Sequence, residues 1–240
     1  SPTRRSYDLR FDREAGNGED RYYHLVLLAE NNQGYANLMK IVSKGFTEGF
    51  YYKPRVDLEV LREYHEGIIA LSACLAGEVA RYLQRGMYED AKAAALRYQD
   101  IFGKGNFFLE LQDHGIPAQQ VVNQELLRMH EETGIDLVAT NDVHYTMAED
   151  AAPHDILLCL QTNKKLADED RMRYEGGQYY VKSPEEMAQL FPYALEALEN
   201  THKIAQRCHV EIEFGVTKLP RFDVPRSEEH TSELQSRQVI

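Results

Sequence analysis

Apolar residues gather in four short runs, at 23–29, 67–72, 107–111 and 135–139, separated by longer stretches of helical spacing. The runs are aliphatic or aromatic and bounded by Gly, Asn and Asp, so each predicts a buried strand. Between the first two, Asn31-Asn32-Gln33-Gly34 predicts a turn into a helix with Tyr35, Leu38, Met39, Val42 and Phe46 as its apolar stripe. Phe50-Tyr51-Tyr52-Lys53-Pro54-Arg55 breaks that pattern before a proline and predicts an aromatic loop. A helix-like segment over 75–83 is interrupted at Gly86. An Ala-rich helix over 88–102 follows, carrying Ala91, Ala94, Ala95, Tyr98 and Phe102. After the third run, Asp113-His114-Gly115-Ile116-Pro117 is a turn, and 119–132 is a helix with Val122, Leu126 and Met129 on one face. Gly134 is placed as its C-terminal cap.

The remainder reads as more helical. A short helix spans 152–160 and a charged excursion 166–177, while Ser183-Pro184-Glu185-Glu186 has the cap, first-turn proline and third-position glutamate of a helix start. A last amphipathic stretch, 194–208, is expected to turn Leu195, Leu198 and Ala205 inward and to end on a core Cys208. The alternation of strands and helices implies an α/β fold with a parallel sheet and right-handed crossovers. Four strands fall short of a closed eight-unit barrel, which needs about 250 residues. The pattern therefore leaves an open sheet or an incomplete barrel whose missing part lies before Ser1.

Composition narrows the function classes. A length of 240 residues allows one domain with a substantial core, or a domain with an appendage. The net charge of -12 argues against a protein that coats nucleic acid through Lys and Arg, though not against an acidic module of a larger nucleic-acid enzyme. No apolar run is long enough to span a bilayer, and no signal-peptide core follows Ser1, so a cytoplasmic location without membrane partners is the expectation. The three cysteines, Cys74, Cys159 and Cys208, are far apart and form no C-x-x-C motif. Dinucleotide, P-loop and serine-hydrolase signatures are absent from the sequence. The opening lacks an initiator Met, which suggests that Ser1 is not a natural domain boundary.

Chemistry concentrates where the strand-like runs end, the place at which α/β folds keep their sites. The run at 135–139 delivers Asn141-Asp142-Val143-His144-Tyr145, and the run at 67–72 delivers Cys74. The Asp142-x-His144 spacing lets both side chains reach one cation, for which Zn or Mn is suitable, and a Cys74 thiolate would tilt the preference to Zn. The plain alternative is a turn aspartate, a hydrogen-bonded histidine and a buried cysteine. Glu110 and His114 flank the end of the third run and could act as further ligands or as an acid and base, or be a strand-end carboxylate and a turn histidine. By composition His24 is an ordinary core or turn histidine.

Several long motifs, in order, carry a resemblance. They are Tyr23-His24-Leu25, Glu30-Asn31-Asn32-Gln33-Gly34-Tyr35-Ala36-Asn37-Leu38, Glu48-Gly49-Phe50-Tyr51-Tyr52-Lys53-Pro54-Arg55, Ala70-Leu71-Ser72-Ala73-Cys74-Leu75-Ala76-Gly77-Glu78 and Thr140-Asn141-Asp142-Val143-His144-Tyr145. Over roughly residues 5–225 the chain resembles the polymerase-and-histidinol-phosphatase (PHP) domain at the N-terminus of bacterial DNA polymerase III alpha subunits. The resemblance implies a distorted seven-stranded (βα) barrel of the PHP type, here incomplete and lacking its N-terminal strands. It implies His24, Cys74, Asp142 and His144 as ligands of Zn or Mn in an accessory metal site, with the family's earlier ligands upstream of Ser1. It also implies a parent that is a DNA-directed DNA polymerase with Mg in its core, whose catalytic aspartates lie outside this sequence. The implied partners are the remainder of that chain, primer-template DNA, a proofreading exonuclease subunit and other replisome subunits.

Three functions compete on these grounds. One is the accessory metal domain of a replicative polymerase, and another is a degenerate scaffold that docks the proofreading subunit. The third is a free-standing phosphoesterase, which the polymerase-type motifs around Gly34 and Tyr51 oppose. The expected division is a loop remnant at 1–20, a partial PHP domain at 21–210, a linker toward the polymerase core at 211–225, and a tail at 226–240. From Arg226 to Ser236 the tail resembles the direct translation of a short-read sequencing adapter, and it has no apolar stripe to bury.

Overall fold

A computed structural model of the chain describes residues 22–217. The expectations for 1–20 and 226–240 lie outside these residues. The chain divides into two units after Val210. The described part of the second, 211–217, contains no helix or strand.

The first unit runs β1 (Val26–Ala29), α1 (Asn32–Thr47), α2 (Leu58–Glu63), β2 (Ile68–Leu71), α3 (Glu78–Gln84), α4 (Tyr88–Phe102), β3 (Phe107–Leu111), α5 (Pro117–Thr133), β4 (Leu137–Ala139), α6 (Ala151–Thr162), α7 (Pro184–Leu190) and α8 (Leu195–Arg207). The strands form one open sheet in the order β1-β2-β3-β4. The architecture is α/β, with an unclosed four-stranded sheet among the described residues.

One topological expectation is corrected. The pairs β2–β3 and β3–β4 are parallel, but β1 runs antiparallel to β2, with Val26 opposite Leu71 and Ala29 opposite Ile68. The cause is that the excursion through α1 and α2 returns to the end of the sheet it left, where Glu30 N donates to Gly67 O at 2.8 Å. The short helix α2, capped by Asp57 accepting from Val60 N, has too few turns to show a periodic signal in the sequence.

Alternation along the strands sorts the core into two faces. Ile68, Ala70, Phe107, Leu109, Leu111, Leu137 and Ala139 join the large cluster built with the helices. Ile69, Leu71, Phe108 and Val138 join a smaller cluster on the other face. Helix α8 contributes Ala197 to the first and Ile204 to the second. The buried Asn200 of the same helix donates to Leu137 O at 2.8 Å, which satisfies a carbonyl on the β4 edge.

Two inward stripes are corrected. On α1 the buried positions are Gly34, Asn37, Ile41 and Gly45, whereas Tyr35, Met39, Val42 and Phe46 are exposed. Small residues let that helix approach closely, and Asn37 Nδ2 donates to Glu66 O at 2.9 Å. On α8, Leu195 and Ala205 are exposed, and the inner face is Ala197, Asn200 and Ile204. Two expected caps are present, whereas Cys208 follows α8 and is only partly buried. Gly134 caps α5 in the left-handed region at φ 67°, and Ser183 and Glu186 form a reciprocal capping box at α7. No helix among the described residues is long and apolar enough to cross a membrane.

Candidate functional site

The antiparallel placement of β1 decides where His24 lies. His24 precedes β1, so it sits beside the C-terminal ends of β2 and β3, where an all-parallel sheet would have put it at the opposite end. It bridges Gly77, and His24 N donates to Ala76 O at 3.1 Å. Cys74 leaves β2 in a tight turn in which Gly77 N donates to Cys74 O at 2.8 Å. A Cβ at Gly77 would fall 2.2 Å from Ser72 O, so only glycine fits this turn. The result is a Cys74 Sγ to His24 Nδ1 separation of 3.4 Å.

Asp142 and His144 leave β4 at the same end. Their Oδ1 and Nε2 atoms are 3.5 Å apart, with both side chains partly exposed. Asp142 has φ 40° and Ala73, beside Cys74, has φ 64°. Side-chain-bearing residues rarely adopt this left-handed conformation, which persists only where surrounding bonds hold it.

Those bonds come from buried polar residues. Glu110 sits on the strand-end face of β3 with its Oε2 accepting from Ala73 N at 3.0 Å. Its Oε1 accepts from Gln112 Nε2 at 2.9 Å and from the Thr140 hydroxyl at 2.5 Å. One carboxylate thus ties together the loops that carry Cys74 and Asp142. Burial pushes the Glu110 carboxyl above its ordinary value, while the Thr140, Gln112 and Ala73 hydrogen bonds oppose that shift.

His114 supports the second loop. Its Nε2 lies 2.9 Å from Asn141 O, and its Nδ1 lies 2.8 Å from Gln119 Nε2. A carbonyl needs a donor and an amide NH2 needs an acceptor, so the ring is the neutral Nε2–H tautomer with both nitrogens engaged. Burial likewise lowers its pKa. From the other side, Tyr179 O accepts from His144 N at 2.9 Å and Tyr145 N at 3.3 Å, while Asn141 Nδ2 donates to Gln178 O and Tyr180 O.

The donor set suits a borderline metal. Two nitrogen or oxygen donors of one tetrahedral zinc lie about 3.3 Å apart, and a nitrogen and a sulfur donor about 3.6 Å, from ordinary bond lengths. The Asp142/His144 and His24/Cys74 pairs are spaced close to these values. Burial raises the Cys74 thiol above its ordinary value, and the charges of Asp142 and Glu110 raise it further. Among the described residues, however, no group of three His, Cys, Asp or Glu side chains is gathered to hold one ion. The site is two donor pairs rather than a complete shell.

Sequence reasoning missed the aromatic wall. Tyr174, from the excursion read only as charged, and Tyr179, just after it, pack on His144 and His114 with ring centroids 4.1 and 4.0 Å apart. His154 of α6 stands 5.9 Å from His144. Their spacing in sequence follows no helix or strand period, so the only available signal was the tyrosine content near 174–180.

Comparison with known proteins places this geometry. The family model described as "PHP domain" matches residues 7–114. The chain is 46% identical over 226 residues to the DNA polymerase III subunit alpha of Treponema pallidum, covering 93% of this chain and 19% of that protein. It is 43% identical over 236 residues to the namesake from Deinococcus radiodurans, covering 95% of this chain and 18% of the relative. The corresponding protein of Thermus aquaticus is 43% identical over 225 residues, covering 91% and 18%. The chain thus spans less than a fifth of the length of these curated relatives, and its sequence corresponds to their PHP-bearing region. Residues 7–114 thus match the PHP domain family, and the chain is similar to DNA polymerase III alpha subunits over more than nine-tenths of its length.

Proposed function

We propose that this chain is an accessory metal-binding PHP region of a DNA polymerase III alpha subunit, whose whole chain performs template-directed DNA synthesis from deoxynucleoside triphosphates. The observation that carries the proposal is 43–46% identity, across more than nine-tenths of the chain, to proteins of that name. The whole protein would work in the cytoplasm on primer-template DNA, with Mg in its polymerase core and with a proofreading exonuclease and other replisome subunits as partners. An open sheet whose β1 edge has no strand partner among the described residues is compatible with the distorted seven-stranded barrel of the family.

In this reading His24, Cys74, Asp142 and His144 are ligands for zinc or manganese, with the cysteine favouring zinc. A cation held there would supply Lewis-acid chemistry toward a phosphate ester and water. The chain's own residues supply the rest. Cys74 and Asp142 bring negative donors, Glu110 fixes the two loops, and His114 holds the Asn141 carbonyl. Glu110 and His114 are supports rather than ligands, because their polar atoms are already engaged.

The absence of a three-member donor group among the described residues favours a second reading, a scaffold that docks the proofreading subunit without hydrolytic chemistry. Metal analysis of the polymerase-length protein separates the two. Stoichiometric zinc or manganese that is lost in Cys74→Ala and Asp142→Ala supports the metal domain. Metal-free wild-type protein that still binds the exonuclease supports the scaffold. Primer extension by the same preparation tests the parent activity.

A further inference from the structure

We infer that Tyr174 is a positioning residue for the candidate metal centre, acting by holding the imidazole of His144 within a cluster of tilted and edge-on rings. The inference rests on the proposal that His144 is a ligand. A histidine ligand is normally oriented by a hydrogen bond to its second ring nitrogen. At His144 the orientation comes from rings: Tyr174 lies 4.1 Å away at 46°, Tyr179 5.8 Å away edge-on, and His154 5.9 Å away. Tyr174 completes the box by meeting Tyr179 edge-on at 4.9 Å and His154 at 5.3 Å.

Tyr174 reaches this place because its segment is fixed on both sides. Upstream, Arg171 makes a two-pronged ion pair with Asp155 of α6, at 2.5 and 2.7 Å. Downstream, Tyr179 O takes the His144 and Tyr145 amides. The segment between these anchors lies over the Asp142–His144 turn as a strap. Its tyrosine meets the His144 ring at 4.1 Å. His144 is itself partly exposed, so without this ring its side chain would sample several rotamers and each would cost ligand alignment.

The test uses the full chain, Tyr174→Leu, which keeps apolar bulk without a ring, and Tyr174→Phe, which keeps the ring without the hydroxyl. Zinc alone is the probe, with its release followed by transfer to a chromophoric chelator. In parallel, the metal-free proteins are labelled at histidine Cε1 and the His144 ring resonance is recorded by NMR. Tyr174→Leu should release zinc at least about tenfold faster, the lower end of losses seen for residues that orient ligands. It should also lose the ring-current displacement of His144, while Tyr174→Phe retains wild-type behaviour in both measurements. Unchanged zinc release in Tyr174→Leu, or equal loss in Tyr174→Phe, overturns the inference. Wild-type protein that binds no zinc overturns the metal reading instead, and an unmoved His144 resonance in metal-free Tyr174→Leu overturns the clamp by itself.

Discussion

Glu110 Oε2 accepts the Ala73 amide hydrogen at 3.0 Å, and through this contact β3 fixes the loop that carries Cys74. The opposite oxygen takes the Thr140 hydroxyl and the Gln112 amide, so the same carboxylate fixes the entry to the Asp142 loop. In Glu110→Gln, the new NH2 group must face either the Ala73 N–H or the donors at Gln112 and Thr140. One buried donor then opposes another, which costs about 1–3 kcal/mol. Urea denaturation should show that loss, and zinc affinity should fall with it. Equal stability of the two proteins would mean that the carboxylate does not hold these loops.

Much of this arrangement was legible because strand ends are local events. The apolar runs leading to Cys74 and to Asp142 located both loops, and turn chemistry located the caps at Gly134 and Ser183. The direction of β1 was not legible, since element order alone does not say at which end of the sheet an excursion returns. Composition therefore treated His24 as ordinary, and only the family resemblance gave it a role. The supporting roles were hidden for a different reason. Glu110 and His114 stood out in the sequence as possible ligands or an acid and base, but their supporting role, like that of Gln119, comes from contacts with other segments, and Tyr174 comes from irregular chain with no period to read. The inner face of α1 was misread because its contact surface is made by Gly34, Asn37 and Gly45, which carry little hydrophobic signal.

Gly77→Ala should damage the site without touching a donor atom. The added Cβ would fall 2.2 Å from Ser72 O and 3.2 Å from Cys74 O, both backbone atoms that cannot swing away. Relief requires opening the turn that sets Cys74 against His24. Overpacking of this kind costs typically about 1–3 kcal/mol. A lowered melting temperature should be accompanied by weaker zinc binding. Normal binding in a destabilised protein would separate the turn from the site.

Asn200→Ala tests how the β4 edge is closed. Asn200 is buried on α8 and donates to Leu137 O at 2.8 Å. Removing it leaves a buried carbonyl unpaired and a small void, at a cost of about 1–3 kcal/mol. Hydrogen exchange should accelerate in β4 and α8 ahead of β2, because α8 packs along β4. Uniform acceleration across all strands would instead mark a general loss of stability.

Acid sensitivity should arise away from the site, where α4 meets α5. Glu132 accepts from Lys92 at 2.7 Å, Arg128 at 2.8 Å and Tyr88 at 3.0 Å, and Arg128 also stacks on the Tyr88 ring at 3.9 Å. The Lys92, Arg128 and Tyr88 hydrogen bonds bring the Glu132 carboxyl from 4.5 down to about 2. A carboxyl depressed in the folded state favours folding once it is ionised in both states, above its unfolded value of 4.5. That contribution declines as pH falls through 4.5 toward 2 and is gone below the folded value. Its size is modest, because the group is solvent-accessible and its ion pairs are screened. Glu132→Gln should therefore lower the melting temperature at neutral pH, with the gap to wild type closing as the buffer is taken from 4.5 toward 2. Raising the salt concentration at neutral pH should narrow the same gap. A gap that stays constant across the acid range would show that the charge on Glu132 does not join these helices.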